Sequence, residues 1–496
     1  MQEYASASVQ DGFAASISTF SAILDWLGQD QNAMTHAEIE DRLDLDGRAL
    51  LRQMYQDRLD VCAERERRLN EVVDAGGARR GTAEPGRERA LVTVFGGVMV
   101  ARIAYRARDL PDLHPADAVL NLPVETHSHG LRRLAAIEAT RGSYTDAATA
   151  IARTTGVTIG KRQLEALTAR AATDIAGFYA TRTVAACPDT TVLAMTYDGK
   201  GVVMRPDALR PGTAKARASR KLTGRLSRGE KRCRKRMAEV AAVYDLTPVP
   251  RTAADIMPDQ RDQTRPAPSA HAKWLTASVT DDAATVIAAG FAEATRRDPD
   301  HHRPWIALVD GNTHQIERIH AEARDHHVTV PILIDFVHVV EYLWKAAWCF
   351  HAEGDRTAET WVRGHARQIL HGRAGIVAAA IRRKATYHGL DPGQRKAADT
   401  AAAYLLAKKP YLDYPTALAA GWPIATGVIE GACRYLVKDR MDITGARWGL
   451  DGAESVLRLR ALIANGDLDE YWEYHLKQEH QRIHTTRYLD GLTPTR

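Results

Sequence analysis

Between residues 189 and 350 the chain alternates short apolar runs of strand length with segments of helical period, and this rhythm restricts the fold more than any other feature. Residues 191–197 (TVLAMTY), 238–246 (AEVAAVYDL) and 273–279 read as three successive strands. A helix at 282–297, a strand at 305–309, a helix at 312–326, a strand at 329–334 and a helix from 337 follow. Few sheets satisfy the order β-β-β-α-β-α-β-α. Three strands with no helix between them make an antiparallel meander, and strands entered through helices return by crossovers. In that topology the first and fourth strands are neighbours.

The flanking regions are mainly helical. Residues 35–74 read as one long helix, with Thr35 and Glu38 as a capping box and Ile39, Leu43, Leu50, Met54 and Val61 on a stripe that either packs on its own domain or dimerises. The glycine- and arginine-rich stretch 76–88 reads as a linker, and ALVTVFGGVMVARIAYRA as a hairpin turning at Gly96 and Gly97. Helices on either side of Gly156 and Val157 within 143–176 form either a plain packing pair or a helix-turn-helix, which would bring Lys161, Arg162 and Gln163 to DNA. Residues 354–409 lack strand runs and read as helical, and a helix at 424–438 follows. The expected divisions are 1–80, 87–180, 185–353, 354–420, 421–445 and 446–496.

Composition removes several classes. With 45% hydrophobic and 26% charged residues among 496, the chain is that of an ordinary globular protein of about three domains. Its longest apolar stretches, such as 284–292, are half the roughly 20 residues of a membrane-spanning helix. The N-terminus has no Lys or Arg before Arg42 and so lacks the basic start of a secretory signal, and five dispersed cysteines without CxxC spacing fit neither a disulfide framework nor a thiolate zinc site. A reducing cytoplasm is the expected setting. The net charge of +5 hides one strongly basic segment, residues 210–236, with twelve Lys or Arg against Glu230 alone. Such a segment points to a polyanion contact at one place.

Asp198 follows the first strand and Asp310 the fourth, each succeeded by glycine. One Asp-Gly after a strand is only a turn signal. Two on neighbouring strands bring a pair of carboxylates together, with glycine letting the chain turn away. Glu430, flanked by Gly427 and Gly431, supplies a third acid on a helix. Two aspartates and a glutamate are hard oxygen ligands for two Mg²⁺ ions about 3.5–4 Å apart, a pair able to activate water or a 3′-hydroxyl against a phosphodiester.

The strings YDGKGV, ALVDGN, DFVH, TGVIEGACR and KDRMDITGARW, in this order, resemble the insertion-sequence transposases of the ISKra group, which are of the DDE class. The likeness extends from about residue 85, with TVFGGVMVARIAYR and PADAVLNLP, to about residue 475. It implies an α/β ribonuclease H-like mixed sheet with a helical insertion, preceded by mainly helical regions for DNA binding and oligomerisation. Asp198, Asp310 and Glu430 are then the DDE triad on two Mg²⁺ ions, for which Mn²⁺ can substitute. The string Asp335, Phe336, Val337, His338 resembles the Asp-x-x-His motif of related groups, in which His338 orients a carboxylate or phosphate unless it is a buried structural histidine.

Arg434 and Lys438 follow Glu430 at i+4 and i+8, and Arg447 and Trp448 come next. In this setting the cations clamp phosphate, and Trp448 either stacks on an unpaired base or packs in the core. Lys231, Arg232, Arg234 and Lys235 belong to the basic segment, read as a DNA-contacting loop that leaves the sheet just after Asp198. His475, His480 and His484 read as a solvated helix rather than a zinc site. The expectation is a DDE-type DNA transposase of the bacterial nucleoid, acting on terminal inverted repeats and target DNA as a homodimer or higher oligomer. The alternatives are a nuclease that cuts without joining and a catalytically silent DNA-binding regulator, the latter disfavoured by the presence of all three acids.

Overall fold

A computed structural model describes residues 11–29, 34–184, 188, 190–219, 233–258, 264–352, 354–443 and 445–494. The chain divides into two compact units, Met1–Thr181 with Asp467–Arg496, and Arg182–Gly466. The tail from 446 is therefore shared: helix Leu450–Ala464 belongs to the second unit and helix Leu468–Ile483 to the first. Among the described residues no helix is long and apolar enough to cross a membrane.

In the first unit, helix Ala14–Gly28 packs on helix His36–Arg65. The latter begins at the expected capping box, where Glu38 Oε2 accepts from the Thr35 amide at 2.7 Å. It stops at Arg65 rather than 74, because Glu66 takes an extended conformation and its carboxylate accepts from the Ile103 amide at 2.8 Å, turning the chain onto the hairpin. Strands β1 (Thr82–Thr93) and β2 (Gly96–Arg106) are antiparallel, so β1 occupies half of the expected linker. Because Thr93 pairs with Gly96, the turn residues are Val94 and Phe95, and Gly96 absorbs the positive φ of 118° directly after them.

Helices His129–Arg141, Tyr144–Thr155 and Lys161–Ala171 then pack around Leu131, Ala135, Ile151, Ile159, Leu164 and Leu167. Gly156, at φ 73°, ends the second of them in the left-handed conformation that a side chain would strain.

The C-terminal helix of this unit is not a solvated one. His475 is fully buried, with Nδ1 2.6 Å from Asp174 and Nε2 3.0 Å from the Arg132 guanidinium. Since guanidinium only donates, Nε2 accepts and the imidazole is neutral, donating from Nδ1 to Asp174. Arg132, also fully buried, is neutralised by Glu479 at 2.7 Å and by Glu125. His480 and His484 bond the carbonyls of Ala118 and Leu122. These partners lie more than 300 residues away in sequence, which is why helical periodicity alone reads the histidines as solvent-facing.

The second unit is a mixed α/β structure. Strands β3 (Val192–Val203), β4 (Lys235–Leu246), β5 (Ala270–Ser278), β6 (Trp305–Val309) and β7 (Ile332–Ile334) form one sheet in the order β5-β4-β3-β6-β7. The first three are antiparallel, and β6 and β7 run parallel to β3. β6 is buried along its whole length, as a continuous apolar run in a parallel position should be. Helices Ala283–Arg297, Thr313–Asp325 and Phe336–Ala347 fall where the sequence pattern expects them.

Four further helices, Arg356–Leu370, Ala374–Tyr387, Lys396–Ala407 and Tyr414–Ala419, make the insertion. Two tyrosines fasten it to the strand ends: Tyr404 donates to the Asp310 carbonyl at 3.2 Å and Tyr414 to the Ile334 carbonyl at 2.9 Å.

The basic segment differs from a simple loop. Its start is the helix Pro211–Ser219, and its end is strand, with Lys235 paired to Val203 and the Arg234 carbonyl accepting from Met204. Lys231 and Arg232 lie outside the described residues.

Candidate active site

The β3–β6 ladder has its last pair at Thr196 and Leu308. Asp198, inside β3, and Asp310, the residue directly after β6, each lie two positions beyond that pair. Asp198 is not at a strand end as expected: β3 continues to Val203 because β4 pairs with it throughout, Asp198 opposite Val240. What ends at Asp198 is the partner on the other edge, since β6 stops at Val309.

Both aspartates are half-buried. Asp198 Oδ1 accepts from the Gly199 amide at 2.6 Å, and Oδ2 accepts from the Cys433 thiol at 3.3 Å. Burial, with the Asp198 charge second, pushes the Cys433 thiol up, which keeps it the protonated donor this bond requires. Asp310 Oδ1 accepts from the Asn312 amide at 2.8 Å. The two glycines differ in role. Gly311 has φ 96° and turns the chain, whereas Gly199 is extended within β3 and leaves room for the Met237 methyl, 2.9 Å from where its Cβ would stand.

Glu430 is exposed on helix Gly427–Ala432, one turn before Cys433. At Cys433 the helix passes into a π-helix, Cys433–Lys438, of a kind often found at functional sites. Arg434 and Lys438 are exposed on this segment, with Arg434 only 3.9 Å from Asp439. Arg447 is exposed as well.

Trp448 is not free to stack on a base: it is 7% exposed, its indole donates to the Met441 carbonyl at 3.0 Å, and Arg440 lies 4.7 Å over its ring. Lys161 and Arg162 are exposed at the start of their helix in the first unit; Lys235 is exposed and Arg234 half-buried in the second.

The Asp335, His338 pair divides differently from the motif reading. His338 faces its own helix, 3.8 Å from Glu341 and edge-on to Tyr342, and among the described residues it has no hydrogen bond to Asp310 or Glu430. Asp335 instead makes the connection. Its Oδ2 accepts from the Thr426 amide at 3.1 Å and from the Thr426 hydroxyl, and its Oδ1 from the Val337 amide at 2.7 Å.

None of Asp198, Asp310 and Glu430 is ion-paired to a Lys or Arg among the described residues. Nor, among those residues, are three or more His, Cys, Asp or Glu gathered as ligands of one ion.

Sequence reasoning missed Cys433, Thr426 and Glu239. The first two carry a signal only in their spacing from Glu430. Glu239, opposite Gly199 on β4, has its carboxyl raised by burial, opposed by Arg210 and reinforced by Asp198. No protein-family model matches the chain, and no curated protein matches it.

Proposed function

We propose that this chain is a DDE-type DNA transposase, whose ribonuclease H-like unit hydrolyses phosphodiesters at element ends and joins the freed 3′-hydroxyls to target DNA. The reading is supported most by the register: Asp198 in β3 and Asp310, the residue after the parallel neighbour β6, each lie two positions beyond the last β3–β6 pair, and Cys433, directly after the Glu430 helix, bonds Asp198. The strand order, a meander extended by two strands parallel to its first, supports the ribonuclease H-like assignment.

The donor chemistry fits the metal. Among the described residues the half-buried Asp198 and Asp310 and the exposed Glu430 have no cationic partner, and carboxylate oxygens of this kind suit a hard divalent ion, from whose charge the two half-buried acids would gain most. Two Mg²⁺ ions held by Asp198, Asp310 and Glu430, or Mn²⁺ in their place, would when bound supply an activated hydroxyl and stabilise the leaving oxygen.

The chain's own groups orient. The Gly199 amide and Cys433 thiol fix the Asp198 carboxylate, and the Asn312 amide fixes that of Asp310. Arg434, Lys438 and Arg447, exposed beyond Glu430, take phosphates, as do Arg234 and Lys235. The helix beginning at Lys161 and Arg162, third of a compact trio, reads the terminal repeats. Self-association is supported by helix Ala14–Gly28, where Ile17, Phe20, Leu24 and Leu27 follow the 3-4-3 spacing of a helix seam yet are each 40 to 50% exposed.

Labelled duplexes taken from the DNA flanking the gene test the reading. With Mg²⁺, the protein should cut to leave 3′-hydroxyls and yield joined products, while Asp310→Asn does neither. Cutting without joining would reduce the activity to that of a nuclease. Undiminished cutting by Asp310→Asn would refute the site.

A further inference from the structure

We infer that Asp335, Thr426 and Cys433 form a clamp on both ends of the Glu430 helix that sets the position of Glu430 relative to the two aspartates. The inference rests on reading those three acids as a metal centre. Glu430 lies four residues after Thr426 and three before Cys433, so each end of the clamp is about one helical turn away.

At the leading end, Asp335 is 3% and Thr426 6% exposed. A carboxylate buried to that degree is costly unless its oxygens are bonded. Asp335 spends one oxygen on capping its own helix and the other on Thr426, through both the amide and the hydroxyl. The Glu430 amide in turn donates to the Thr426 carbonyl at 3.1 Å, which makes Thr426 the foot of the Glu430 helix. The Asp335 amide donates to the carbonyl of Val309, the residue before Asp310, at 2.9 Å, and the neighbouring Phe336 amide donates to Ile424 at 2.8 Å. One buried acid therefore touches the backbone beside the second aspartate and the foot of the glutamate helix.

At the trailing end, Cys433 is 4% exposed and donates to Asp198, the first aspartate. The π-helix starts at that residue, so the hydrogen-bonding step changes where the helix meets β3. A helix carrying an ordinary solvated glutamate needs none of these buried polar links. All three are positioning residues, since they act through the acids and not on DNA.

The test is Mn²⁺ binding to the full-length chain without DNA, read from the paramagnetic signal of the free ion, with thermal unfolding followed in the metal-free protein. Thr426→Val and Cys433→Ala should each weaken Mn²⁺ binding about 10- to 100-fold, the range found for outer partners of metal ligands. Thr426→Ser and Cys433→Ser keep a donor and should restore binding close to wild type. Asp335→Asn combined with Thr426→Val should lose less than the two single losses together, because both break one link. If Thr426→Val and Cys433→Ala bind Mn²⁺ like wild type while Asp198→Asn and Asp310→Asn do not, the clamp is wrong and the metal centre stands. If the amide variants of the acids also bind unchanged, the metal-centre reading falls and takes the clamp with it. Should Thr426→Val lose its thermal transition, the contrast between Cys433→Ala and Cys433→Ser decides.

Discussion

The Tyr404 hydroxyl stands 2.7 Å from the place a Cβ on Gly311 would occupy, and the same hydroxyl donates to the carbonyl of Asp310. The turn after the second aspartate is thus shaped by a helix of the insertion. Gly311→Ala adds a side chain at φ 96° and drives it into that contact. It should destabilise the second unit by about 1–3 kcal/mol or more. Urea unfolding measures this, and adding Tyr404→Ala should recover the part due to the clash but not the part due to φ.

Breaking the buried charges of the first unit should cost more than any surface change. Glu479→Gln leaves the fully buried Arg132 short of one counter-charge, a loss of about 3–5 kcal/mol for a pair of this kind. Hydrogen exchange should show the loss first in helix Leu468–Ile483, which Glu479 helps to hold. Unchanged protection there would remove Arg132 as the anchor of that helix.

Acid should loosen the same unit. His129, ordinarily near 6.5, is lowered to about 4 by burial and then by the Arg132 charge, and His475 is lowered for the same two reasons, opposed by its bond to Asp174. Between these pH values the unfolded chain binds protons that the folded chain refuses, so stability rises with pH. It should be full above pH 6.5 and fall as the pH drops toward 4. Urea midpoints at pH 7 and pH 5 should differ less for His129→Gln than for wild type.

Removing two cations from the helix-turn-helix candidate should register in salt dependence. Each duplex phosphate contact contributes about 0.9 to the slope of log affinity against log salt, so Lys161→Ala with Arg162→Ala should flatten it by about 1.8. An unaltered slope would place the DNA path on another surface.

Charges placed on the exposed seam should prevent self-association. Phe20→Glu with Leu24→Glu puts two anions among the apolar positions of helix Ala14–Gly28, and light scattering should then give the mass of a single chain. A mass unaltered from wild type would move the contact elsewhere.

The sheet order, with β3 and β6 as parallel neighbours, was legible because it follows from local rhythm plus topology rules. The limits of β3 were not. Gly199 and Gly201 signal a turn by composition, yet β4 supplies pairing partners through to Val203 and the strand continues. The start of helix His36–Arg65 was written in its cap, while its end depends on Glu66 meeting a strand 37 residues later. Beyond its spacing from Glu430, Cys433 carried no signal, since its partner Asp198 is 235 positions distant. His338 had a motif to recommend it, but the buried links pass through Asp335.

The first unit is made of two stretches of chain with residues 182–466 between them, and this fixes an order of events during synthesis. At about 5–20 residues per second, roughly 15–60 s pass between the emergence of Thr181 and that of Asp467. Throughout that interval Arg132 has neither Glu479 nor His475, whereas every strand of the second unit's sheet has already left the ribosome before the interval ends. The sheet therefore has its complete set of strands outside the ribosome before the first unit receives the helix Leu468–Ile483 that supplies the partners of Arg132.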